Sequence, residues 1–112
     1  MAARTPSVEL LWWEGCPSTD DALRMLREEM TAAGLDSSAL RMREVTTDAD
    51  AERERFVGSP TIRVDGRDVQ PVADEPIGLS CRVYRLADGR ISPLPAREEV
   101  RQTLVDAMKG GN

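Results

Sequence analysis

The six residues from Val8 to Trp13, VELLWW, constrain the fold more than any other stretch of this chain. Apolar and aromatic side chains fall on both faces of a run this short. That is the pattern of a central strand in a partly parallel sheet, covered from both sides. Gly15 breaks the run, and Pro17 suits the first position of a helix. Ala22, Leu23, Leu26, Met30 and Ala33 then recur at three- and four-residue spacing, which gives a helix one apolar face. Gly34 follows where a C′ residue is expected.

The remaining elements are shorter. Leu40 and Met42 alternate with polar residues as a second strand does. Thr47, with Asp50 three positions on, opens a charged helix running to about Phe56. In SPTIRVDGRDVQP two strand-like pieces flank Asp65-Gly66, a dipeptide that favours a two-residue hairpin. VADEPIGLS is looser, and CRVYRLADGRIS has a second turn signal at Asp88-Gly89. From Pro95 a last helix carries an apolar stripe of Val100, Leu104 and Met108 to Gly110-Gly111. The predicted order is β-α-β-α-β-β, an inserted segment at about 72–95, then α. The first two strands run parallel, because a right-handed crossover joins them. A chain of 112 residues fits a single domain, 1–112.

Composition excludes more than it assigns. There is no histidine, so Ser-His-Asp and Cys-His nucleophilic machinery and histidine-bound metals are ruled out together. A net charge of −5, spread along the chain, offers no footprint for DNA or RNA. No apolar run reaches the roughly 18 residues of a membrane span, and none resembles a signal peptide, so the expected location is the cytoplasm. Two cysteines far apart in sequence make neither a disulfide framework nor a zinc site; no metal and no cofactor are expected. Fourteen arginines against one lysine suggest coding from a GC-rich, bacterial genome.

Cys16-Pro17 after the first strand, with Trp12-Trp13-Glu14-Gly15 before it, and Ser59-Pro60-Thr61 before a strand of the later hairpin, together resemble the thioredoxin-like family. The element order is also similar, over most of the chain except roughly 72–95. The resemblance implies an α/β fold of three layers, α/β/α, around a mixed sheet. It implies a cis Pro60 facing Cys16, with the backbone of Ser59 open to pair with an extended thiol-bearing substrate. Trp13, Pro17, Ser59, Pro60 and Thr61 are then the candidate substrate-binding residues. The chain departs from the family at Thr19, which stands where a second cysteine is usual. Chains of this kind are also described as similar to organomercurial lyases.

The physical reading of Cys16 stands beside that resemblance. A sulfur at a helix N-terminus faces unpaired N–H groups and the positive end of the macrodipole, both of which favour thiolate. The hydroxyls of Ser18 and Thr19 are possible donors to it, whereas Glu14, Asp20 and Asp21 oppose its ionisation. Without a cysteine at position 19, a mixed disulfide on Cys16 must be resolved by glutathione, by another protein or by Cys81. For Cys81 the bland alternative is an inert buried thiol on an alternating strand, and Arg82 beside it is either a pKa modifier or a solvated residue. Trp12 and Trp13 read as core and rim of the strand. Arg24, Arg27, Arg53 and Arg55 read as solvated helix faces.

Three functions follow. The first is a thiol-dependent redox protein, a possible thiol-disulfide oxidoreductase, in which Cys16, Thr19 and Cys81 act on a protein or small-molecule thiol or disulfide. The second is a binding module that keeps the fold without turnover. The third is soft-metal or organomercurial chemistry through Cys16 and Cys81, with Asp20 or Glu14 as proton donor. Neither nucleic acid nor membrane is an expected partner, and the oligomeric state is open.

Overall fold

In the computed structural model, which describes residues 5–72 and 74–110, strand β1 spans Val8–Trp12 and occupies an interior position in the sheet. Its neighbours are β2, Arg41–Glu44, parallel to it, and β3, Thr61–Val64, antiparallel. Strand β4, Arg67–Asp68, pairs with β3, so the sheet order is β2-β1-β3-β4. The β3–β4 turn is Asp65-Gly66, with φ of 52° and 79°, the two positive values that a type I′ hairpin needs. Alternation along β1 divides the core. Val8 and Leu10 join Ile62 and Val64 on one face, and Leu11 points the other way.

Helix α1, Thr19–Ala32, covers the first face with Ala22, Met25, Leu26 and Met30. It begins two residues later than Pro17, because residues 17 and 18 form a turn and the first helical bond runs from the Ala22 N–H to Ser18 O. Its end is a Schellman motif: Leu35 N–H donates to Met30 O and Gly34 N–H to Thr31 O. Helix α3, Arg97–Met108, lies beside α1 and adds Val100 and Leu104. It too starts two residues past its proline, with Ala96 as N-cap. Helix α2, Asp48–Glu54, covers the opposite face. The Thr47 hydroxyl caps it by accepting the Asp50 N–H at 3.0 Å, and Ala51 packs with Leu11, Val45 and Phe56. The result is a mixed sheet with helices on both faces.

Two charged groups interrupt this apolar layout, each for a visible reason. Glu29 of α1 is only 4% exposed, yet it carries a carboxylate into the seam with α3. Arg101 Nε donates to it at 2.9 Å and Arg97 NH1 at 3.1 Å. The hydrogen bond from Arg101, opposed by burial and reinforced by Arg97, holds the Glu29 carboxyl below the usual range. A depressed folded-state pKa contributes stability above the unfolded value of about 4.3, and that stability is lost as pH falls through the folded pKa. Both arginines are half exposed, so solvent weakens the pair. We expect the unfolding free energy to fall between pH 7 and pH 3 by about 1–2 kcal/mol less in Glu29→Gln than in the natural chain, read from urea midpoints. On the α2 face, Glu54 gathers Arg43 and Arg63 in the same way.

Residues 72–95 contribute to both cores. Tyr84 is fully buried in the first cluster, and Leu79 packs against the second. Two short strands within the segment, β5 (Tyr84–Arg85) and β6 (Ile91–Ser92), pair antiparallel around Asp88-Gly89. The Gln70 side chain ties β5 to the hairpin, accepting the Arg85 N–H at 2.9 Å and donating to Arg85 O at 2.9 Å. Among the described residues no helix is long and apolar enough to cross a membrane.

Candidate functional site: two thiols beside Ser59

β1 delivers the chain to Trp13, and a turn closed by the Cys16 N–H on Trp13 O, at 3.0 Å, sets Cys16 just before α1. The Trp13 indole lies flat over Gly15, where a Cβ would meet the ring at 2.3 Å, so a side chain at 15 would displace it. Ser59 Oγ accepts the Trp13 N–H at 3.1 Å and anchors the turn to the loop before β3. Cys16 is 8% exposed. Its thiol donates to Ser59 O at 3.3 Å and accepts the Ser18 N–H at 3.4 Å. The backbone of Ser18 is thus the donor that a helix start was expected to supply. Thr19 does not share that role: its hydroxyl is buried and has no hydrogen-bond partner, because the side chain belongs to the first turn of α1. Pro17 is exposed beside the sulfur, as are Glu14, Asp20 and Asp21.

The Ser59–Pro60 peptide is cis, the isomer the resemblance implies. Ser59, however, is not open to a substrate strand. Its N–H donates to Ser80 O at 2.8 Å and its carbonyl accepts the Arg82 N–H at 2.9 Å, so Ser59 and Cys81 form a parallel β-bridge within the chain. Ser59 and Thr61 are each 1% exposed and Pro60 is buried with them. Of the five residues expected to meet a substrate, only Pro17 is exposed and Trp13 partly so. The physical reason is the segment from 74 to 95, which folds back over the loop through Ser80 and Arg82.

That return sets Cys81 across from Ser59, whose carbonyl accepts the Cys16 thiol. Both cysteines are free thiols, one buried and one exposed. Desolvation, with the neighbouring Cys16 as a lesser cause, pushes the Cys81 thiol above its usual range. Cys81 is exposed rather than buried. The alternation is there, but Arg82 and Tyr84 point inward while Cys81, Val83 and Arg85 point out.

Arg82 holds this segment down and is 4% exposed. It donates to both carboxylate oxygens of Asp68, at 2.7 and 3.0 Å, to Gln70 O at 2.7 Å and to Thr61 Oγ1 at 3.2 Å. Its guanidinium carbon lies 4.3 Å from the Tyr84 ring centroid, and only its Nε lacks a partner. Burial works against the Arg82 charge, but Asp68 and the neighbouring charges outweigh it and the pKa is raised. The Tyr84 hydroxyl donates to Pro60 O, and burial drives its own pKa far up. Sequence reasoning left Arg82 undecided and gave Asp68, Gln70 and Tyr84 no role. The one available signal was Arg82-x-Tyr84, two residues on one face of an extended segment.

The close approach also depends on Gly58, whose φ is 127°. A Cβ there would lie 2.9 Å from Arg82 Cβ and 3.0 Å from its backbone N. We expect Gly58→Ala to cost about 1–3 kcal/mol and to accelerate hydrogen exchange at the Arg82 amide, through both clash and backbone strain.

Among the described residues no group of three His, Cys, Asp or Glu side chains is placed to hold a metal ion. Compared with known proteins, the chain matches no family model, no curated relative and no solved structure. The assignment therefore rests on its own geometry.

Proposed function

We propose that this chain is a thioredoxin-like redox protein whose working pair is Cys16 and Cys81. The observation that carries the reading is the Ser59–Cys81 bridge, which sets Cys81 across from Ser59, the residue whose carbonyl accepts the Cys16 thiol at 3.3 Å. The sheet order and the helices on both faces support the fold, and the Ser18 N–H at 3.4 Å supports Cys16 as the attacking sulfur. Cys16 thiolate attacks one sulfur of a disulfide RSSR, its S–S bond breaks, and one RS⁻ leaves. Cys81, after losing its proton to solvent, attacks the Cys16 sulfur of the mixed disulfide and expels the second RS⁻. The substrate gains two electrons, the protein loses two, and a Cys16–Cys81 disulfide remains. A low-molecular-weight thiol then reduces it.

The test is peptide mapping of the intact chain after reaction with one equivalent of 2-hydroxyethyl disulfide. We expect a Cys16–Cys81 linked peptide and two thiols released per disulfide. Stable mercaptoethanol adducts on each cysteine separately, with no linked peptide, would sink the reading.

The same placement of both cysteines at Ser59 keeps a second reading open, two-thiolate binding of a soft cation such as Hg²⁺ or Cu⁺. It predicts that Cys16→Ser and Cys81→Ser each weaken binding sharply, whereas retained tight binding in either variant removes it. Two free thiols held at the same residue, Ser59, favour both of these over a binding module without thiol chemistry.

A further inference from the structure

We infer that the site is closed to polypeptide strands and takes a low-molecular-weight disulfide, because the segment Ser80-Cys81-Arg82 already occupies the pairing edge of Ser59. The inference rests on the thiol-pair reading above and adds the class of substrate. An extended peptide beside Cys16 draws affinity from main-chain hydrogen bonds to an exposed edge. At Ser59 both main-chain groups are used: the N–H by Ser80 O at 2.8 Å, the carbonyl by the Arg82 N–H at 2.9 Å. The same carbonyl also accepts the Cys16 thiol. A substrate strand would have to expel the chain's own segment first.

That segment does not detach cheaply. Arg82 is anchored by Asp68, Gln70 and Thr61, and Tyr84 by its burial and its bond to Pro60 O. Gly58 allows the two backbones to approach as closely as they do. The chain thus pairs its own Cys81 with Ser59, the pairing that an extended substrate would need. Cys16 is only 8% exposed, whereas Cys81 is exposed and lines, without Cys16, a groove of about 430 Å³ with Val57, Pro71, Val83 and Ile91 on its walls. This is within the range of small-molecule sites, roughly 300–1,000 Å³.

The experiment compares two disulfides that share a leaving group. One is 2-hydroxyethyl disulfide; the other is a short unstructured peptide whose one cysteine carries a mercaptoethanol mixed disulfide. Formation of the Cys16–Cys81 disulfide is timed with each, and each rate is divided by that of dithiothreitol on the same compound. With the edge closed, the peptide gains nothing, and its normalised rate is equal to or below that of the small disulfide. With the edge open, two added hydrogen bonds would raise it by about tenfold or more. A peptide advantage of that order, or loss of exchange protection at the Ser59 and Arg82 amides when the peptide is added, overturns the inference while leaving the thiol pair intact. If neither compound yields the internal disulfide, the redox reading and this inference fall together.

Discussion

Arg82→Ala is expected to lower the unfolding free energy by about 3–5 kcal/mol, the usual cost of removing one partner from a buried ion pair. A domain of this size has only about 5–15 kcal/mol in total, so the variant should be marginal. The effect has three sources. Asp68 loses a bidentate cation at 2.7 and 3.0 Å, Gln70 O loses its donor, and the Tyr84 ring loses the guanidinium stacked on it. The urea midpoint measures the loss. Because charge left unpaired is the main cost, Arg82→Met combined with Asp68→Asn should recover part of it. The amide side chain introduced by the second change keeps an oxygen for the Gln70 N–H, now bonded to Asp68 at 2.8 Å. Equal midpoints for the single and double variants would mean that packing, not charge, dominates. The folded fraction of Arg82→Met should also form the Cys16–Cys81 disulfide more slowly, since the segment carrying Cys81 is no longer pinned beside Ser59.

Cys16→Ser is expected to abolish the internal disulfide and, with it, release of the second thiol. In the natural chain each disulfide should yield two thiols. In Cys16→Ser and in Cys81→Ser it should yield one, with a stable adduct on the remaining cysteine. The two variants are not equivalent. Cys81→Ser keeps the sulfur that accepts the Ser18 N–H and should still attack at a rate close to that of the natural chain. Cys16→Ser keeps a thiol whose pKa is raised by desolvation, so its attack should be slower at pH 7. Removing Cys16 also removes the charge that raises Cys81, so the alkylation profile of Cys81 should move to lower pH in this variant. Without an internal partner, the second step depends on external thiol and should slow by about a hundredfold or more at millimolar concentrations. Liberated thiol counted by absorbance, with adducts read by mass, distinguishes the cases. Full release of two thiols from either variant would remove the pair from the mechanism.

Much of the scaffold was readable from local pattern. VELLWW specified an interior strand, the spacing of Ala22, Leu26 and Met30 a helix packed on it, and Asp65-Gly66 a tight hairpin. These depend on periods of 2 and 3.6 residues and on turn chemistry, which act over a few positions. Helix starts were less legible. Pro17 and Pro95 each precede the first helical residue by two, because the N-cap is decided by where the preceding turn closes.

The candidate thiol pair was only half legible. Cys16 announced itself by its place between strand and helix, whereas Cys81 lies 65 positions away in a segment with no strong period of its own. The alternation in CRVYR was visible, but its phase was not. Sequence favours an inward cysteine over an inward arginine, since a buried guanidinium is costly without a partner. The partner is Asp68, on the other side of the hairpin and loop, and no local rule connects the two. The amino-acid sequence by itself determined the strands, the helices and a thiol at a helix start, because each follows from neighbours along the chain. Only the tertiary structure decided that Arg82 turns inward, that Cys81 therefore turns out, and that Ser59 is occupied by its own chain. Those outcomes rest on pairings between residues 14 to 65 positions apart, where folding, not local pattern, chooses the partner.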